Sequence, residues 1–550
     1  MIRQELMKKA INHIDALLKS RLDACLGPGI SLALTTSDGP IATRFYGVAN
    51  ASSREPVMEE TLFQIGSITK HFTAVACMRL HQQGRLDVHA PVADVLGWFE
   101  VQSAFDVPVT LHHLLTHTSG LIMMMDSNPS SWGQTWALRN TVLGFEPGTQ
   151  FSYSNVGYNV LQCVIQTITG KTFDASLREL IFEPLGMSET IGEIRNALHD
   201  RMALGHKYSA HDDRPVPRPE RQVVVNWYEL SSGCGSVVTT ARDLARFLRM
   251  ELNGGRSDDG TMFLRPETFE KLAHPYVEMP GFFAGTMQGY GVLVEQSEDT
   301  NGHRRMIGAG ENLGYEAAMY GDIEAGLGVV LLVNSYDVPW RETKWILDVL
   351  LAAEEGRDLP VWPHGDPVDS ARIGERAREY SGHFESTTRA FDLVETEGCV
   401  DLRMNGVPTT LQRIWDDAFI AQVPGLDRGM LSFGRNEDGA VVEAFHLGEH
   451  FRNAEYDGPD TFDYPAEWDR YVGQYRAFGV FVNSVRFFIR KGNLTCQAHG
   501  GYGETPLSAL GQGTFRFGGE TSPERLTFDW IAGEKALRCR MPDGDFYRVD

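Results

Sequence analysis

Apolar residues near the N-terminus recur on a helical period. Leu6, Ala10, Ile14, Leu17 and Leu22 share one face, with Lys8, Lys9, Asp15 and Arg21 between them. That spacing predicts an amphipathic surface helix. The period then changes to two. Residues 30–35 and 41–48 read as strands, with Ser37-Asp38-Gly39 as the turn between them. Helical spacing returns near residues 68–84, 110–117, 158–170, 174–183 and 240–252. Strand patterns resume at 290–295, 304–307, 316–320 and 328–333, and a last helix is predicted near 341–354. Strands at both ends with helices between predict one sheet built from both halves of residues 1–355.

A polar, proline-rich passage follows, with Pro360, Pro363, Gly365, Asp366 and Pro367. It reads as a linker over 356–370. Beyond it the helical period disappears and an internal repeat takes over. Tyr380-Ser381-Gly382-His383-Phe384 is echoed by Tyr471-Val472-Gly473-Gln474-Tyr475, and the turn at Glu397-Gly398 by Lys491-Gly492. Leu411 and Phe419 match Leu507 and Phe515. Leu431-Ser432-Phe433 matches Leu526-Thr527-Phe528, and Phe451-Arg452 matches Tyr547-Arg548. A series of matches in order at nearly one offset predicts two similar all-β units, 371–458 and 465–550. Their many short strands suit small antiparallel barrels.

The composition narrows the function classes. A chain of 550 residues exceeds one domain of roughly 150 residues, and 42% apolar with 22% charged residues suits folded cores. The net charge is 50 − 73 = −23. So acidic a chain needs a local basic patch to bind nucleic acid, and none is present. No run of about 18 apolar residues marks a membrane span, and the N-terminus lacks the apolar core of a secretory signal. Seven widely spaced cysteines without a Cys-x-x-Cys pair argue against disulfide frameworks and zinc sites. A cytoplasmic protein is expected.

The chemistry concentrates in two short segments. In Gly66-Ser67-Ile68-Thr69-Lys70 a glycine precedes Ser67, and an apolar helical run follows. Ser67 is therefore expected at a helix N-terminus, with Lys70 one turn later on the same face. Helix N–H groups favour negative charge developing there, and a buried lysine beside a hydroxyl can act as base. Tyr153-Ser154-Asn155 adds a phenol able to relay protons. It also adds an amide able to join a lysine to a substrate carbonyl. Taken singly, the first segment reads as an ordinary helix start. The second reads as a turn before a helix, with the Tyr153 ring packed.

Taken together, Ser-x-x-Lys followed about 85 residues later by Tyr-x-Asn resembles the serine β-lactamase and penicillin-recognising hydrolase superfamily, in its class C-like branch. Leu114-Leu115-Thr116-His117-Thr118-Ser119-Gly120-Leu121, Phe182-Glu183-Pro184-Leu185-Gly186-Met187, residues 235–244 and Tyr290-Gly291-Val292 look like further segments of that family. The resemblance implies an α/β (α+β) domain over 1–355, an antiparallel sheet flanked by helices. The two all-β barrels behind it resemble the layout of D-aminopeptidases. By the same resemblance Ser67 is the nucleophile, Lys70 and Tyr153 move its proton, and Asn155 binds substrate. The oxyanion would sit between the N–H groups of Ser67 and Glu311. No metal or organic cofactor is implied.

One position departs from the family pattern. Its third motif carries a lysine or histidine, and the matching position here is Gly308, within Gly308-Ala309-Gly310. That loss weakens the implication of β-lactamase, carboxypeptidase or strict D-aminopeptidase activity. The small glycines read as room for a bulkier substrate, with His303 or Arg304 as conceivable substitutes. The expected function is a serine hydrolase of peptide or amide bonds in small or unusual peptides, D-residue peptides among them. A carboxylesterase or acyl transferase with the same site and a non-catalytic peptide-binding protein are the alternatives. The expected partner is a small peptide, amide or ester; the barrels stand as lids, exosites or homodimer surfaces. His112, His113 and His117 lack a carboxylate or cysteine to complete a metal set. Met123-Met124-Met125, Trp132 and Trp136 are candidate cleft walls or core.

Overall fold

In a computed structural model, the described residues are 2–23, 28–125, 128–211, 214–225, 227–280, 285–335, 339–363, 371–404, 406–478, 482–498 and 503–550. Cys25 and the linker positions Gly365, Asp366 and Pro367 lie outside them. The chain divides into two compact units. One is Met1–Lys207 with Gln222–Pro363, and the other is Tyr208–Arg221 with His364–Asp550.

The first unit is built on a nine-stranded antiparallel sheet. Its strands are β1 (Gly29–Thr36), β2 (Gly39–Asn50), β3 (Glu55–Pro56), β4 (Val277–Glu278), β5 (Met287–Gln288), β6 (Leu293–Glu295), β7 (Arg305–Asn312), β8 (Tyr315–Asp322) and β9 (Leu327–Val333). They run in the order β3-β2-β1-β9-β8-β7-β6-β5-β4. The β1–β9 pairing, Ile30 opposite Val333, joins the two halves of the chain, as the end-to-end strand pattern predicts. Helices cover both faces. On one, Leu32, Leu34, Val329 and Leu331 pack with Ala10, Ile14 and Leu18 of α1 (Ile2–Asp23) and Ile346 and Leu350 of α5 (Pro339–Glu355). On the other, Ala33, Val330 and Leu332 meet the layer holding α2 (Thr69–Gln82), α3 (Asn155–Thr169) and α4 (Ala241–Leu252). A strand covered on both faces needs no polar alternation, which is why β9 is buried throughout.

Two expected strands change length. The pattern at 290–295 shrinks to Leu293–Glu295, because Gly291 takes a left-handed φ of 70° as the chain passes Lys70 of α2. The pattern at 304–307 extends through both glycines to Asn312, carried by pairing with β8 down to Asn312 opposite Tyr315. The helix expected over 174–183 is a short helix, Phe173–Leu177, followed by a wide π-type turn, Arg178–Phe182.

The second unit holds two antiparallel sheets. The earlier has nine strands, and its two ends, Val407–Thr410 and Gln412–Trp415, are separated in sequence only by Leu411. It is therefore nearly closed. The later is a closed eight-stranded barrel between Gly473 and Arg548. The repeat appears in both cores: Phe384 and Tyr475, Leu411 and Leu507, Phe419 and Phe515, and Phe433 and Phe528 are all buried. Both matched turns put a non-glycine residue at positive φ, Glu397 at 51° and Lys491 at 45°. The final match shifts by one residue. Phe451 is buried, but its counterpart in the core is Phe546, because Tyr547 is 42% exposed. Among the described residues no helix is long and apolar enough to cross a membrane.

Candidate active site

Ser67 lies in a 3-10 turn, Gly66–Ile68, that runs directly into α2. This turn can form only against a bare backbone. Gly66 has φ 47°, and a Cβ there would stand 2.3 Å from the Glu311 carbonyl oxygen. A Cβ on Gly310 would stand 2.0 Å from the Ile65 carbonyl and 2.9 Å from the Ser67 nitrogen. The glycines therefore bring β7 and the Ser67 turn into direct backbone contact. Lys70, one turn along α2, is buried and donates to Ser67 Oγ at 2.9 Å.

A second donor reaches the same oxygen. The Tyr153 hydroxyl donates to Ser67 Oγ at 2.9 Å. Tyr153 stands immediately before the cap of α3, where Ser154 Oγ accepts from the Gly157 N–H. It is thus both the residue before a helix and a member of the cluster. Lys70 Nζ sits 4.8 Å from the centre of the Tyr153 ring and 5.7 Å from that of Tyr158. Ser67, Lys70 and Tyr153, predicted as one group, meet in the wall of a cavity of about 500 Å³ that Gly308, Gly310 and Glu311 also line.

Asn155 opens α3 with its backbone N–H on the Met123 carbonyl, and Lys70 also donates to the Cys234 carbonyl at 3.1 Å. That carbonyl is set by its neighbours. Thr73 Oγ1 donates to the Gly233 carbonyl, and Thr69 Oγ1 accepts from the Val237 N–H. Sequence spacing missed this partner because a backbone carbonyl carries no residue-type signal. The segment beginning at Gly235 was its nearest visible mark.

The third-motif position is filled by packing. A Cβ on Gly308 would stand 3.3 Å from His71 Nδ1 and from Met319 Cε, and 3.4 Å from Ile68 Cγ1. A Cβ at Gly308 would thus be closely packed, while Gly308 and Gly310 themselves line the cavity. His303 and Arg304 do not substitute. His303 bonds Asp322 at 3.0 Å and Arg304 pairs with Glu270, and neither lines the cavity. The cavity wall also bears Glu311 and, opposite it across the β7–β8 pair, Glu316. Burial raises the Glu311 carboxyl above the ordinary range.

The three histidines expected not to bind metal serve separate purposes. His113 Nδ1 accepts from the Thr110 N–H in a capping box, His112 meets the Tyr290 hydroxyl at 2.8 Å, and His117 packs on Tyr153. Among the described residues only His303, Asp322 and Glu324 converge closely enough for a metal ion. Asp322 there already receives Arg305 and the Ala325 N–H, the arrangement of an ion pair. Met123 lines the cavity while Met125 joins the core. Trp132 and Trp136 are exposed and stack on Trp98, away from the cavity lining.

No disulfide joins the six described cysteines.

Comparison with known proteins places this arrangement. Residues 14–354 match the family model described as Beta-lactamase. The chain is 33% identical over 244 residues to Penicillin-binding protein 4 of Amycolatopsis lactamdurans, covering 43% of this chain and 62% of that one. It is 31% identical over 230 residues to Esterase EstB of Burkholderia gladioli, covering 37% of this chain and 57% of that one. It thus spans less than two thirds of the length of either relative. Among solved structures, the octameric penicillin-binding protein homologue from Pyrococcus abyssi superposes with a TM-score of 0.57 at 22% identity, covering 80% of this chain and 99% of that one. EstCE1, a hydrolase with promiscuous acyltransferase activity, superposes at 0.51 with 20% identity, covering 64% of this chain and 99% of that one. These two likenesses concern the fold. With its family model spanning well over half of its length, the chain belongs to the beta-lactamase family.

Proposed function

We propose that the protein is a serine hydrolase that forms an acyl-enzyme on Ser67 and cleaves amide or peptide bonds in small substrates. One observation carries this reading: Lys70 Nζ and Tyr153 Oη each lie 2.9 Å from Ser67 Oγ. Ser67 Oγ attacks the substrate carbonyl carbon, and its proton passes to the amine form of Lys70. The N–H groups of Ser67 and Glu311 stand where the oxyanion forms, since Gly66 and Gly310 bring the two backbones together. The tetrahedral intermediate collapses with cleavage of the carbon–nitrogen bond. The leaving nitrogen takes a proton through Tyr153, and Asn155 stands beside this segment at the head of α3. Water then attacks the ester carbon and releases Ser67.

An esterase or acyl transferase using the same steps is the second reading. It is favoured by Gly308, which offers no cation to bind a substrate carboxylate at the third-motif position. The similarity to Esterase EstB supports it too. The deciding experiment compares p-nitrophenyl esters with L- and D-amino-acid p-nitroanilides, using Ser67→Ala as control. Anilide cleavage lost in Ser67→Ala is expected. Ester cleavage alone moves the assignment to the second reading, and full activity in Ser67→Ala refutes both.

A further inference from the structure

Tyr153 belongs to no regular element: residues 151–154 are neither helix nor strand. Something outside that segment must therefore hold its hydroxyl at Ser67. His117 contacts the segment in three ways. Its carbonyl accepts from the Ser152 N–H at 2.8 Å, and its Nδ1 accepts from the Ser154 N–H at 3.0 Å. Its ring stacks on Tyr153 with centroids 4.4 Å apart and planes inclined by 29°. The backbone N–H groups of the residues before and after Tyr153 and the face of its ring are thus gripped by one residue.

His117 takes an unusual conformation to do this. Its φ is 57°, in the left-handed region that strains a non-glycine residue. The strain is held by a buried loop. The Thr118 N–H donates to the His113 carbonyl at 2.8 Å, and the Thr116 and Thr118 hydroxyls meet at 2.8 Å. The chemistry of the ring is also determined. Nδ1 accepts a hydrogen bond and so carries no proton, which places the hydrogen on Nε2. Burial, and any positive charge on the nearby Lys70, favour the neutral imidazole. The ring therefore adds no positive charge of its own beside Lys70.

We infer that His117 is a positioning residue that sets the Tyr153 hydroxyl against Ser67. This rests on the reading that Tyr153 exchanges a proton during acylation of Ser67. A displacement of about 1 Å in such a group costs up to roughly 100-fold in rate, so the grip has a kinetic signature.

The test is a double-mutant cycle on the full chain, read as the rate of Ser67 acylation by p-nitrophenyl acetate with thermal melting as the fold control. Glycine at 117 keeps the backbone conformation and removes the ring. Asparagine also tolerates positive φ and offers an acceptor near Nδ1. His117→Gly is expected to slow acylation about 10- to 100-fold, with His117→Asn recovering part of the loss. In a Tyr153→Phe background the same His117→Gly change should alter the rate less than about threefold. A wild-type rate in His117→Gly, or equal losses in both backgrounds, overturns the inference while leaving the proposed function intact. A Tyr153→Phe enzyme acylated at the wild-type rate overturns the underlying reading instead. Should the glycine variant fail to fold, the 15N resonance of His117 in the unaltered protein decides. Unprotonated, hydrogen-bonded Nδ1 is expected, and a protonated Nδ1 refutes the grip.

Discussion

His71 Nε2 faces Glu251 Oε1 at 3.6 Å, with both side chains sealed from solvent one residue beyond Lys70. Among the described residues the polar atoms of both side chains have no hydrogen-bond partner. Burial lowers the His71 imidazole to about 3 and raises the Glu251 carboxyl to about 8. The fold thus favours neutral imidazole and neutral carboxyl.

This pair gives stability two opposing pH limbs. Glu251 is raised from 4.5, so its contribution is complete below pH 4.5 and is lost as pH rises towards 8. His71 is lowered from 6.5, so its contribution is complete above pH 6.5 and is lost as pH falls towards 3. Between 4.5 and 6.5 the limbs cancel, and each limb alone changes stability by about 1.4 kcal/mol per pH unit. Urea midpoints of the wild type should fall between pH 6.5 and 8, and Glu251→Gln should flatten that limb. Parallel curves for the two proteins would show that Glu251 does not titrate there.

The two glycines of β7 should differ in tolerance. At Gly310 a Cβ meets backbone at 2.0 Å, whereas at Gly308 it meets His71, Met319 and Ile68 side chains at 3.3–3.4 Å. Gly310→Ala should displace the Ser67 turn, cost about 1–3 kcal/mol and lower the acylation rate by more than about tenfold. Gly308→Ala should cost less on both measures. Calorimetry with acylation kinetics checks the order, and equal losses would contradict the close approach.

Lys70 is placed as a point donor between Ser67 Oγ and the Cys234 carbonyl. A planar guanidinium cannot reproduce that geometry or act as a base. Lys70→Arg should therefore reduce Ser67 acylation by roughly 100-fold or more, within the range for general base removal. A rate within threefold of wild type would remove Lys70 from the proton path.

Arg490 should hold the two C-terminal sheets together. It extends from the closed barrel to the Leu447 carbonyl at 2.8 Å and the Ser432 hydroxyl at 3.2 Å, and it pairs with Glu504 at 3.0 Å. Arg490→Ala strands a largely buried carboxylate and should cost about 3–5 kcal/mol. Arg490→Met with Glu504→Leu removes both charges and should recover much of that loss. Thermal unfolding of the full chain measures it, and an unchanged transition in Arg490→Ala would refute the tie.

Much of this protein was legible from local patterns. Alternation marked β1 and β2, and helical spacing marked α1 through Ala10 and Ile14, although Leu18 rather than Leu17 is the fully buried residue of the next turn. The repeat marked both C-terminal cores, with the last match one residue off, since sequence likeness cannot show which of Phe546 and Tyr547 faces inward. Ser67, Lys70 and Tyr153 were visible because a hydroxyl, an amine and a phenol stand at a recognisable spacing. The Cys234 carbonyl lies 164 positions from Lys70, and the Ser154 N–H that meets His117 lies 37 positions away. Backbone groups look alike at every residue, so only packing could select them. The meaning of Gly308 was likewise decided in three dimensions. A missing side chain reads as empty space in a sequence, and the fold brings His71, Met319 and Ile68 within 3.3–3.4 Å of where its Cβ would stand. Local periodicity determines which face of an element is buried, whereas the tertiary structure determines what that face meets.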